Sequence, residues 1–201
     1  DDMQKVLIIG CPGSGKSTFA RKLHEQVEIP LYHLDNLFWN ADKTTVSIEV
    51  FKNRLDNILQ QPSWIIDGNY ASIMEWRIQH CDTIFFLDYP TEICIEGVRS
   101  RKGKKRSDIP WIEEEDDEEF LQFIQSFHNK QRPMILELLQ TCNKDVYIFT
   151  TREEANQYFS FLIYTAIVLG VILAVLGIIF VRPVARLLGA DDAMIEHCVV
   201  Y

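Results

Sequence analysis

Hydrophobic positions fall into two regimes along this chain. Through residue 157 they come as short runs separated by amphipathic stretches. From Tyr158 to Val181 they form one uncharged run of 24 residues. Residues 5–9, Lys-Val-Leu-Ile-Ile, show no polar alternation, as expected of a strand buried on both faces. Residues 31–34, 64–66, 83–87 and 145–150 are the further candidate strands. Between them, residues 17–26 turn Phe19, Ala20 and Leu23 to one side, and residues 47–59 repeat Ile48, Phe51, Leu55 and Leu59 at helical spacing. Residues 90–101 and 118–140 also read as helices. Strands alternating with helices predict an α/β fold with a parallel sheet, right-handed crossovers and helices on both faces. At ~1.5 Å rise per residue, the run 158–181 is long enough to cross a hydrocarbon core of about 30 Å, and it lacks the polar stripe of a core helix. The pattern divides the chain into an α/β domain, residues 1–157, and a transmembrane-type helix with a short tail, residues 158–201.

The first strand runs directly into Gly10-Cys-Pro-Gly-Ser-Gly-Lys16-Ser17-Thr18, and a helix follows. Strand, glycine-rich loop and helix in that order are the context of the GxxxxGK[ST] phosphate-binding pattern. Glycines let successive N–H groups point into one concavity, and the helix N-terminus adds partial positive charge. Gly10, Gly13, Ser14, Gly15, Lys16, Ser17 and Thr18 are therefore the candidate ATP-binding residues. Lys16 is expected to reach the β- and γ-phosphates, and the Ser17 hydroxyl to ligate Mg²⁺.

Ligands in such sheets sit at the carboxyl ends of the strands, where Asp35 and Asp67 also fall. Asp67 closes an apolar run and reads either as a Walker B carboxylate for Mg²⁺ or as a cap to the turn with Gly68. Asp35 reads as a base for a substrate hydroxyl, as a substrate-binding group, or as a turn cap. Asp88 reads as structural. Six of the eight residues from 99 to 106 are Lys or Arg. A basic, apolar-poor segment there is either a solvated face or a lid that brings cations to the transferring phosphoryl group. Seven consecutive acids follow at 113–119, a solvated helix start or a counter-charge holding the lid open.

Charge and cysteine content narrow the picture further. A formal net charge of −9 argues against general nucleic-acid binding. Five cysteines without a CxxC pair suggest neither a disulfide framework nor a zinc site, so reduced cytoplasmic thiols are expected. The apolar run at residues 6–9 is too short for a signal peptide.

With these residues in view, the first part resembles P-loop kinases of the adenylate-kinase and shikimate-kinase type. It is most similar to the bacterial DNA topology modulation (FlaR-like) family. The likeness rests on residues 10–18, Tyr-His-Leu-Asp at 32–35, Trp-Ile-Ile-Asp-Gly-Asn-Tyr at 64–70, Phe-Leu-Asp-Tyr-Pro at 86–90 and Arg-Pro-Met-Ile-Leu-Glu at 132–137. It implies a three-layer P-loop NTPase sandwich with a five-stranded sheet in the order 2-3-1-4-5, and ATP and Mg²⁺ as cofactors. It also implies phosphoryl transfer to a small acceptor that the family leaves unassigned. By the same likeness Arg99 and Arg101 match lid arginines, and Arg77 matches a group for acceptor phosphate. Asn69-Tyr70 stand where nucleoside monophosphate kinases carry Phe-Pro-Arg. A nucleotide switch without a small acceptor is the rival expectation.

The second part resembles a fragment of a multidrug and toxin extrusion (MATE) transporter, through Arg182, Pro183 and Leu-Leu-Gly-Ala at 187–190. So short a piece cannot build an alternating-access pathway. Arg182 and Arg186 lie beyond one end of the span and an ATP-using domain before the other, and the positive-inside tendency cannot place both in the cytoplasm. The expectation is a cytoplasmic kinase domain fused to a foreign, membrane-seeking segment.

Overall fold

The structure is a computed structural model that describes residues 3–113 and 117–187, with side chains through Phe180. The middle of the acidic run and the tail 188–201 lie outside the described residues, as do the side chains of Arg182 and Arg186. Within the chain two compact units separate, Asp1–Ala155 and Asn156–Tyr201.

The first unit is built on β1 (Lys5–Gly10), β2 (Leu31–His33), β3 (Trp64–Asp67), β4 (Thr83–Leu87) and β5 (Asp145–Phe149), in the order β2-β3-β1-β4-β5. Every pairing is parallel. The apolar runs are strands because both their faces are covered. Val6 to Ile9, Trp64 to Ile66 and Ile84 to Phe86 are fully buried. Helices α1 (Lys16–Val27), α2 (Leu34–Phe38), α3 (Ile48–Leu59), α4 (Met74–His80), α5 (Thr91–Ser100) and α6 (Glu118–Thr141) connect them. Amphipathic spacing fixes which side packs: Phe19, Ala20 and Leu23 of α1 and Phe51, Leu55 and Leu59 of α3 face the core. This is the three-layer α/β sandwich expected, with the expected strand order.

Two details differ from the sequence reading. The second strand ends at His33, and Asp35 lies in the first turn of α2 rather than at the strand's tip. The short helices α2 and α4 had no clear periodic signal. The parallel register then decides what meets at the carboxyl edge of the sheet. Asp67 pairs with both Ile8 and His33, while Gly10 pairs with Leu87.

The apolar run lies in α7 (Arg152–Leu187). An 18-residue window of this helix has mean hydropathy 2.8 and is unburied. Its length and composition suffice to span a bilayer.

Candidate active site

The phosphate cradle begins where β1 ends. Helix α1 starts with Gly15 at its N-cap, without a side-chain cap and without an acid in its first turn. By contrast, Ser47 caps α3 and Asp117 caps α6. The free N–H groups of α1 are thus left for an anion. Gly13 has φ +88°, and a Cβ there would stand 1.9 Å from the Cys94 carbonyl oxygen. Gly97 is its counterpart, with a Cβ position 2.1 Å from the Gly13 oxygen. Loop and α5 are therefore in backbone contact. Lys16 Nζ donates to the Gly10 and Cys11 carbonyls at 2.9 and 3.1 Å. Burial lowers the Lys16 pKa, against the pull of nearby Asp67 and Asp35. The Ser14 hydroxyl is buried and has no hydrogen-bond partner among the described residues. Thr18 is exposed and accepts from Arg21 at 3.3 Å.

A four-residue turn, Asp67-Gly68-Asn69-Tyr70, ties this cradle to Asp35. The Asn69 amide makes two reciprocal bonds with Gly10, donating to its carbonyl at 2.6 Å and accepting from its N–H at 3.0 Å. Tyr70, held at φ +41°, donates its hydroxyl to Asp35 at 2.9 Å. Strain of this kind concentrates where a side chain must be aimed. Arg77 holds the turn from beneath. It is fully buried and donates to the carbonyls of Gly68, at 2.8 Å, and Asn69. Burial pushes its pKa down to about 9. The structure thus places Arg77 inside the fold, bonded to the backbone carbonyls of the turn. Burial holds Asp35 above its ordinary value, with Tyr70 and Lys16 pulling it down. Asp67 is buried and lies 2.6 Å from His33 Nδ1. Burial opposes the His33 charge, but the Asp67 contact prevails and raises its pKa.

The basic segment after α5 contains no helix or strand through Glu113. It is docked onto the cradle. Asp108 accepts the Ser17 hydroxyl at 2.7 Å, Arg21 donates to the Ser107 hydroxyl at 3.0 Å, and Asn36 donates to the Ser107 carbonyl at 2.7 Å. Arg106 bridges Asp108 and Glu113, and Arg101 lies 3.3 Å from Glu113. Burial would raise the Asp108 pKa, yet Arg106 and Ser17 together bring it down to about 2. Burial lowers that of Arg101, whose Nε is buried without a hydrogen bond among the described residues. Arg99 is exposed near the end of α5.

Lys16, Ser17, Asp35, Asp67 and Arg101 are thus brought to one edge of the sheet, while Arg77 is buried beneath the turn 67–70 and Arg99 is exposed on α5. His33, Asn69, Tyr70 and Asp108 escaped the sequence reading. Among the described residues no three His, Cys, Asp or Glu side chains converge as a metal-ligand group. A Mg²⁺ that arrives with its nucleotide needs only one or two protein oxygens beside phosphate and water. The Ser17 hydroxyl and Asp67 supply that number. The uncapped helix and orphaned Ser14 hydroxyl fit a phosphate chain.

No family model matches the sequence, and no curated protein matches it. Solved structures do. A shikimate kinase from Bacteroides thetaiotaomicron is similar with a TM-score of 0.54 and 17% identity, over 80% of this chain and 96% of that one. A shikimate kinase from Acinetobacter baumannii, in complex with shikimate, is similar with a TM-score of 0.55 and 15% identity, over 82% of this chain and 93% of that one. At such identities the likeness establishes the fold: the first unit has the P-loop kinase fold of the shikimate-kinase type.

Proposed function

We propose that the chain transfers the γ-phosphoryl group of ATP to a hydroxyl of a small acceptor. One observation carries this reading: the uncapped glycine loop of α1 stands beside Asp35 and Asp67 on one sheet edge, with Lys16 within electrostatic reach of both carboxylates. The loop N–H groups and Lys16 bind the phosphates. Lys16 moves from the Gly10 and Cys11 carbonyls to the nucleotide, which is the better partner for a cation. Ser17 and Asp67 hold Mg²⁺, which neutralises phosphate charge when bound. Asp35, oriented by Tyr70, takes the proton from the acceptor hydroxyl as its oxygen bonds to phosphorus and ADP leaves. Arg101 brings positive charge from the loop to the transferring group. The test is Lys16→Ala, with nucleotide binding and ADP release as readouts. Loss of tight ATP binding with an unchanged far-UV dichroism spectrum is expected, and unaltered affinity would sink the assignment.

The docked loop supports a second reading. Asp108 holds the very hydroxyl that Mg²⁺ needs, so nucleotide entry must displace the loop, as in a nucleotide switch. ADP release that no acceptor stimulates would favour the switch.

The FlaR-like likeness of residues 3–157 fits this reading, with an acceptor still to be named. The MATE-like likeness of residues 158–201 fits a fusion in which the unburied apolar helix is a passenger. The kinase unit then works in the cytoplasm, held to a membrane wherever the helix inserts.

A further inference from the structure

We infer that the acceptor is an uncharged alcohol carrying a flat ring, a nucleoside rather than a nucleotide or a hydroxy acid. This rests on the kinase reading of the site. The first ground is a line of aromatic rings leading outward from Asp35. Tyr70, bonded to Asp35, has its ring centroid 5.3 Å from that of Phe38, and Phe38 lies 5.5 Å from Trp39. Trp39 in turn lies 5.4 Å from Trp111 of the docked loop. Here Phe51 is buried, but Phe38, Trp39, Tyr70 and Trp111 all keep part of their surface open. Such rings offer a planar molecule stacking and edge contacts without regard to its charge.

The second ground is the disposition of cations. An anionic acceptor needs a guanidinium or ammonium of its own. Arg77 is buried on the Gly68 and Asn69 carbonyls. Arg54 donates to Leu37, Arg21 to Ser107, and Arg132 forms a bidentate pair with Asp88. Lys16 and Arg101 belong to the transferred phosphate, Arg106 is held by Asp108 and Glu113, and Lys102, Lys104 and Lys105 are exposed on the loop. Around Asp35 stand two further carboxylates, Asp67 and Asp108, close enough to raise its pKa. Asp67 is taken by Mg²⁺ and Asp108 by Arg106, so Asp35 is left as the acceptor for a neutral hydroxyl.

The test uses the full chain in detergent micelles with Mg-ATP. Adenosine, guanosine, cytidine and thymidine are compared with their 5′-monophosphates and with shikimate, by ADP release and by phosphorylated product. At least one nucleoside should stimulate ADP release by about tenfold or more, while the monophosphates and shikimate do not. Trp39→Ala should raise the KM for that nucleoside by about tenfold, the loss expected of one base–aromatic contact. It should leave the KM for ATP within about threefold. Stimulation by a monophosphate or by shikimate overturns the inference. So does tight ATP binding that no nucleoside accelerates, an outcome that leaves the nucleotide site standing. Failure to bind ATP at all overturns the kinase reading beneath it.

Discussion

Asp35 and Asp67 sit on one sheet edge but are held differently, and their substitutions should separate. Asp35→Asn should cut turnover by roughly 10²–10⁴, the usual worth of a general base, with ATP affinity nearly unchanged. Asp67→Asn should weaken Mg²⁺-dependent nucleotide binding, and equal effects of both on ATP affinity would contradict the division. A pH profile adds a sign. Burial keeps Asp35 above its ordinary 3.8, so the base is lost to protonation as pH falls through that raised value. The acid limb of kcat/KM should therefore lie above pH 3.8, and Asp35→Asn should flatten it. His33 runs the other way, because its folded pKa is raised above 6.5. Its pairing with Asp67 stabilises the fold fully below pH 6.5, and that contribution is lost as pH rises through the raised value. Denaturant midpoints of His33→Gln, measured across that window, should lack this decline. The glycine loop and the carboxylates Asp35 and Asp67 were legible in sequence because local spacing carries them, although Asp35 sits one turn into α2. The partners were not. Asn69 meets Gly10 across 59 residues, Tyr70 meets Asp35 across 35, and Asp108 meets Ser17 across 91. No periodicity reports such separations, and Asn69-Tyr70 stood out only through family spelling, shared with one family and departing from another.

Short elements set the geometry that long ones support. Helices α2 and α4, of five and seven residues, are too brief for a 3.6-residue period to emerge, yet one carries Asp35 and the other Arg77. The packing of α5 on the cradle was equally silent, because it depends on a missing side chain at Gly97. A methyl there would meet the Gly13 carbonyl at 2.1 Å, backbone against backbone. Gly97→Ala should destabilise the fold by ~1–3 kcal/mol and weaken ATP binding as the loop shifts, both checkable by urea unfolding and nucleotide titration. The basic loop behaves as an element of its own. In sequence the acids read as a solvated helix start or as a counter-charge holding the lid open. In the structure Glu113 pairs with Arg101 and Arg106 while Asp108 docks the loop on Ser17. Asp108→Asn should free the loop and speed tryptic cleavage between residues 101 and 106 several-fold in the absence of nucleotide. Because Asp108 is held at about 2 against an ordinary 3.8, this docking is fully present above pH 3.8 and fades as pH falls toward 2.

At the scale of the whole chain, the strand order came from the family likeness, since alternation predicts a parallel sheet without ordering it. The break in hydrophobic pattern was legible directly, because no globular helix keeps so long an uncharged run unburied. Sheet, cradle, turn 67–70 and docked loop all lie within Asp1–Ala155, and the proposed chemistry draws on these parts alone. Within α7, large apolar side chains from Phe161 to Phe180 are exposed, among them Tyr164 at 71% and Ile178 at 76%. Apolar surface on that scale drives self-association or membrane capture in water. A chain ended at Gln157 should therefore stay in solution, while the full chain should require detergent, as sedimentation of both preparations would establish. The shortened chain keeps one weak point, the edge strand β5, where Tyr147 and Ile148 are 40% and 43% exposed. Unpaired edges of this kind promote slow association at high concentration, so solubility should be compared in dilute samples. Affinity for ATP should match that of the detergent-solubilised full chain within a few fold, since every candidate phosphate contact is retained. If the shortened chain fails to fold or to bind ATP, the apolar helix is part of the kinase core, and the fusion reading falls with it.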